Sequence, residues 1–117
     1  MHETPDRLYL VTRADLPIGL QAAQAAHAAF QFSHDHPDLM RPWFRESQYL
    51  IVVTVPDEIS LIRVASIANA EGLAICTWHE PDLDGATTAV AIQPGAMARR
   101  ICANLPLLGR ERLEVVA

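Results

Sequence analysis

An alanine-rich run near the start of the chain carries three polar residues, Gln24, His27 and Gln31. Their i, i+3, i+7 spacing puts them on one face of a helix. An imidazole can take or give a proton near neutral pH, and an amide beside it can hold a substrate group or a water. Arg13 and Asp15 lie just upstream. The free N–H groups at that helix start favour anions, and Asp15 is of the type that caps helices. A second polar cluster is His79-Glu80-Pro81-Asp82, expected as a loop at the exit of a strand. Loops at strand ends are where α/β proteins place reactive groups. Glu80 or Asp82 there could act as a general base or orient a neighbour. Thr87 and Thr88 follow, read as strand residues whose hydroxyls could meet a substrate oxygen.

Other patterns point away from chemistry. His34-Asp35-His36 has ligand types that suit zinc or nickel, but no further ligand set accompanies it. A solvated loop is the expectation, with no metal site. Cys76 and Cys102 have apolar neighbours and no C-x-x-C spacing, so both are read as buried thiols in a reducing compartment. There is no glycine-rich phosphate loop and no G-x-S-x-G elbow.

Charge narrows the field further. The net charge is −5, and all nine basic residues are arginine. Without lysine, mechanisms that need an ε-amine are excluded. An acidic surface should bind long nucleic acid poorly, although arginine remains a good bidentate partner for a few phosphates.

The elements that must position these residues read as follows. Arg7–Thr12 is a β-branched and aromatic run, expected as a strand. Arg13–Gly19 is a loop, and Leu20 to about Ser33 a helix packed through Ala22, Ala25, Ala29 and Phe32. Residues 34–38 read as a polar break, and Pro42-Trp43-Phe44 as a loop or single turn. Gln48–Val55 is a strand whose near-continuous apolar run suggests burial on both faces. A helix starts at Pro56-Asp57-Glu58 and runs to about Glu71, with Ile59, Ile62, Ala65, Ile67 and Ala68 as its apolar positions and Gly72 as its stop. Ala74–Trp78 and Thr88–Gln93 are strands joined through a turn at Asp84-Gly85. Gly95 to about Ala103 is a helix, and Arg110–Ala117 a tail or short edge strand. The order β-α-β-α-β-β-α predicts an α/β fold: a mixed four-stranded sheet with helices on both faces, its last two strands antiparallel if adjacent.

At 117 residues the chain fits one domain, residues 1–117. Its longest apolar stretch, Tyr49–Val55, is far shorter than the roughly 20 residues of a membrane helix. The opening residues lack the basic-then-apolar pattern of a signal peptide. The expectation is a cytoplasmic protein. Trp43 and Phe44 are aromatic candidates for a homodimer contact or for packing within one chain.

Three segments together resemble the type-2 peptidyl-tRNA hydrolase family. They are Leu10-Val11-Thr12-Arg13-Ala14-Asp15-Leu16 with Gly19 and Ala22-Ala23-Gln24-Ala25-Ala26-His27-Ala28; then Thr88-Ala89-Val90-Ala91-Ile92-Gln93-Pro94; and Asn104-Leu105-Pro106-Leu107-Leu108. The likeness spans roughly residues 7–108. It implies the same mixed four-stranded sheet and metal-independent, cofactor-free hydrolysis of the ester between a peptide and the 3′ ribose of tRNA. The partner would be the acceptor end of peptidyl-tRNA. Glu80 stands closest to the family's catalytic aspartate, and Leu20 occupies the place of its usual lysine. On this basis His27, Glu80 and Gln24 are the catalytic candidates, and Arg13, Asp15, Asp82, Thr87 and Thr88 the substrate-binding ones. A noncatalytic small-ligand or nucleotide-binding module of the same fold, or an oligomerising structural or regulatory protein, are the alternatives.

Overall fold

A computed structural model describes residues 5–110. Four strands, β1 (Arg7–Arg13), β2 (Tyr49–Val55), β3 (Ile75–Glu80) and β4 (Ala86–Ile92), form one sheet in the order β2-β1-β4-β3. β1 pairs parallel with β2 and antiparallel with β4, and β3 pairs antiparallel with β4. The helices are α1 (Ile18–Asp35), α2 (Pro37–Glu46), α3 (Glu58–Ala70) and α4 (Ala96–Cys102), with a 3₁₀ turn at Pro81–Leu83.

Alternation along the strands builds two cores. Leu8 and Leu10 of β1 join Ala89 and Ala91 of β4 under α1 and α2, among Ala25, Ala28, Phe32 and Met40. Tyr9 and Val11 point the other way, with Val90 and Ile92, against Leu61, Val64 and Ala68 of α3 and Ala98 of α4. Helices on both faces are what the sequence predicted. α1 packs mainly over β4 and β3. Beside it, an apolar trough of about 780 Å³ opens between α1, α2 and β2, lined in part by Phe30, Phe44, Leu50 and Leu108.

The structure corrects several sequence-based expectations. A complete helix, α2, occupies the segment read as a polar break and a loop. Pro37 sits in its first turn, where a missing N–H costs nothing. Leu39, Met40 and Trp43 turn inward, while Pro42 lies on the exposed side. β2 is an edge strand, exposed at Tyr49 and Leu50 and buried on both faces only over Val53–Val55. Its outer side is partly paired by residues 106–108: Thr54 N–H donates to the Pro106 carbonyl (2.9 Å) and Leu108 N–H to that of Val52 (2.9 Å). The buried stripe of α1 is Gln21, Gln24, Ala25, Ala28 and Phe32, with Ala22 facing outward. In α3 the core set is Leu61, Val64, Ala65 and Ala68, whereas Ile59, Ile62 and Ile67 are exposed. β3 reaches Glu80 and β4 begins at Ala86, so His79 and Glu80 are strand residues instead of loop residues. The segment expected as a tail or edge strand lies, after Arg110, outside the described residues.

Phe32 is completely buried, whereas Ile59 is 70% exposed. Phe32→Ala should lower unfolding free energy by about 3–5 kcal/mol. Ile59→Ala should change it by less than about 0.5 kcal/mol. Urea titrations of the two variants would show equal losses if the phase of either helix were wrong.

Candidate active site

Gln24 sits on the buried stripe of α1 and is 1% exposed. A buried amide needs partners for both ends. Its Nε2 donates to Glu80 Oε1 (2.8 Å), and its Oε1 accepts from the Thr88 hydroxyl (2.5 Å). One turn earlier Gln21, also buried, accepts from the Thr12 hydroxyl (3.3 Å) and donates to the Leu16 carbonyl (2.6 Å). α1 is therefore tied to β1, β3 and β4 by polar bonds inside an otherwise apolar stripe.

Glu80 ends β3, and its other oxygen accepts the Asp82 N–H at the 3₁₀ turn (3.2 Å). The Gln24 amide, that N–H and the nearby His27 hold the carboxyl below the ordinary glutamate range, outweighing the opposite effect of burial. His27 lies near the surface of α1, and its ring stacks on Trp78 with centroids 4.6 Å apart and planes 8° from parallel. Trp78 is two residues before Glu80 on β3 and so faces the same helix. Its buried Nε1–H favours the Glu80 carboxylate electrostatically but makes no hydrogen bond among the described residues.

Thr88 reaches this group through an irregularity. Along β3–β4, Trp78 pairs with Ala89, and the next residue, His79, pairs with Thr87. Thr88 is the extra residue of a bulge. Strict alternation would send it with Val90 to the α3 face; the bulge turns it toward α1.

Arg13, Asp15 and Thr87 form a separate cluster at the same end of the sheet. Arg13 Nε and Nη2 donate to the two Asp15 oxygens (3.0 and 2.9 Å), and Nη1 donates to the Thr87 carbonyl (3.1 Å). Asp15 is the main reason the Arg13 guanidinium is held even more firmly in its charged form. The Thr87 hydroxyl lies 3.3 Å from His79 Nδ1. Glu58, at the start of α3, accepts the Thr87 N–H (2.8 Å) and stands 3.9 Å from Arg13.

Of the residues singled out by sequence, Gln24, Glu80 and Thr88 are bonded together under α1, and His27, at the surface of the helix, joins them through its stacking on Trp78. Arg13, Asp15 and Thr87 gather around the start of β4. The Asp82 side chain is exposed, and only its backbone enters the site. Asp15 caps no helix: Pro17 occupies the N-terminal position of α1, without a side-chain cap. Sequence reasoning missed Trp78, Gln21 and Glu58. Trp78 was within reach of it, since its i−2 spacing from Glu80 specifies a shared strand face.

Among the described residues, no group of three or more His, Cys, Asp or Glu could hold a metal ion. His34 and Asp35 belong to the last turn of α1, with Asp35 accepting from Gln31 (2.9 Å), and the His36 ring packs on Phe32. Burial pushes the Cys76 thiol up to about 11 and the Cys102 thiol up to about 12, leaving both protonated and unreactive near neutral pH.

Comparison with known proteins places this arrangement. The family described as Peptidyl-tRNA hydrolase PTH2 matches residues 7–108. Curated relatives named "Peptidyl-tRNA hydrolase 2, mitochondrial" include the Bos taurus and Homo sapiens proteins. Each is 31% identical over 99 residues, covering 76% of this chain and 55% of the relative. The Mus musculus protein is 33% identical over 102 residues, with the same coverage. The chain thus spans about half the length of the curated relatives it matches. On the match over residues 7–108, the chain belongs to the Peptidyl-tRNA hydrolase PTH2 family.

Proposed function

We propose that the protein hydrolyses the ester joining a peptide or N-blocked amino acid to the 3′ ribose of tRNA. The observation that carries this reading, beside family membership, is the buried Thr88–Gln24–Glu80 chain, with His27 stacked on Trp78 of the same strand as Glu80. Both Glu80 oxygens already accept N–H donors, which lowers the carboxylate's proton affinity and leaves the water proton to another group. His27 takes that role. Water attacks the ester carbonyl carbon as His27 accepts its proton. The bond to the ribose oxygen then breaks, and the imidazolium returns the proton to that oxygen. Glu80 stabilises the imidazolium, Trp78 fixes its ring plane, and the Gln24–Thr88 pair fixes where substrate oxygen can sit. Arg13 offers charge to a terminal phosphate, oriented by Asp15 and by the Thr87 carbonyl. Asp82 contributes through its backbone.

The acceptor end of the tRNA is the partner this site suits, because the chain is acidic overall. Two free buried thiols support a reducing compartment, which we take to be the cytoplasm, although the curated relatives are named as mitochondrial. No helix among the described residues is long and apolar enough to cross a membrane. Exposed Phe30 and Phe44 beside the apolar trough support a homodimer through that face. A second reading, ligand binding without turnover, is favoured by Leu20 standing where the family usually has a lysine.

Release of N-acetylaminoacyl groups from tRNA tests the assignment. His27→Ala and Glu80→Gln should each lower kcat/KM by roughly 10²–10⁴-fold. Rates untouched in both would overturn the roles assigned to His27 and Glu80; a folded but inactive wild type would favour the binding reading. Glu80 also makes stability depend on pH. Its folded-state pKa is depressed, so its ionisation stabilises the fold above its unfolded value of about 4.3 and ceases to do so as pH falls through the folded value. The stability difference between wild type and Glu80→Gln should therefore change between neutral pH and about pH 3, moving against wild type on acidification. Denaturation curves across that range measure it. Finally, tRNA affinity should fall only shallowly with salt, at a log–log slope of magnitude below about 3, since each phosphate contact adds roughly 0.7–0.9. A steeper slope in a filter-binding titration would mean that more phosphates are neutralised than the acceptor end alone presents.

A further inference from the structure

β1 stops pairing with β4 at Thr12–Ala89, two residues short of Thr87. Beyond that point β4 still presents a backbone N–H and C=O, and Thr87 is buried. Buried backbone groups need partners. Here two side chains supply them: Glu58 accepts the Thr87 N–H at 2.8 Å, and Arg13 Nη1 donates to the Thr87 carbonyl at 3.1 Å. The two are themselves 3.9 Å apart, so one acid–base pair stands where the next strand residue would be.

Thr87 is the residue immediately before the bulge. Its backbone direction sets where the bulged Thr88 points, and the Thr88 hydroxyl is the donor to Gln24. We propose that Glu58, on the face of the sheet opposite α1, is a positioning residue: by holding the Thr87 N–H it sustains the bulge that aims Thr88 at Gln24 and Glu80. The kinetic part of this proposal rests on the hydrolase reading, whereas the geometric part does not. Glu58 touches neither substrate nor the reacting atoms and acts through the backbone of β4.

Alternative roles for Glu58 make a different prediction. It occupies the first position of α3, where any carboxylate favours the helix. If that were its function, Glu58→Asp would preserve it and Glu58→Gln would not. A positioning role reverses the order. Glutamine keeps the length and the acceptor oxygen, whereas aspartate is one methylene too short to reach Thr87. With its side chain 38% exposed, the position tolerates these changes without loss of the fold, and Asp57 still caps the helix through Ser60.

The test compares the wild type with Glu58→Gln, Glu58→Asp and Glu58→Ala by two independent readouts. The first is NMR: the Gln24 side-chain NH₂ resonances and hydrogen exchange of the Thr87 amide. Asp and Ala should move the Gln24 resonances and lower Thr87 protection by about 10-fold or more, and Gln should leave both near wild type. The second is the release assay. Asp and Ala should lower kcat by about 10-fold with KM little changed, and Gln should restore kcat to within about threefold. Unmoved Gln24 resonances in Glu58→Ala, or a rescue by Asp in place of Gln, would overturn the proposal. A wild type without turnover would count against the hydrolase reading alone, because the NMR comparison still decides whether Glu58 positions the bulge.

Discussion

The burial of one amide, that of Gln24, constrains the rest of the structure. A glutamine at the centre of a helix–sheet interface is unfavourable unless donor and acceptor are both met. Only one placement of α1 meets them, with Nε2 over the end of β3 and Oε1 over the bulge of β4. The alanines around it allow the helix to come close enough to the sheet for those short bonds, and Phe32, further along, anchors its far end. Apolar packing alone would let such a helix slide or rotate. The amide removes that freedom and links the register of the helix to that of the β3–β4 hairpin.

Polar groups at this end of the sheet are divided by face. Under α1 lies a carboxylate, stabilised by N–H donors, beside an exposed imidazole. On the α3 side Arg13 is held by Asp15 and spans to the backbone of β4. Strand alternation accounts for most of the division, since Val11 and Arg13 share one face and Thr12 the other. The bulge at Thr88 is the departure, and it puts Thr88 on the α1 face beside its neighbour Ala89.

Much of this was readable from residue types. The alanine run around Gln24 and His27 specified a helix, the β-branched runs specified strands, and the crossovers specified a mixed sheet. Period-two reasoning could not place Thr88, because a bulge is an exception to the period. The polar run from His79 to Asp82 reads as a loop, yet the strand continues through Glu80 and the turn begins only at Pro81. α2 was obscured by its two prolines and flanking histidines. In α3 the conspicuous isoleucines at 59, 62 and 67 drew the stripe to the wrong side, although Leu61, Val64, Ala65 and Ala68 keep the regular i, i+3, i+4, i+7 spacing.

The bonds that bring the helix and strands of the site together join distant parts of the chain. Gln24 and Glu80 are 56 positions apart, Gln24 and Thr88 64, and Arg13 and Thr87 74. Contacts of such separation form late, because closing long loops costs entropy before any contact rewards it. During synthesis, α1 leaves the ribosome with its glutamine and histidine long before the hairpin that completes them exists. A nascent chain that ends before Thr88 therefore holds no assembled site. Such fragments carry the Gln24 amide without its Thr88 partner, and the buried polar group is complete only once the sheet has closed.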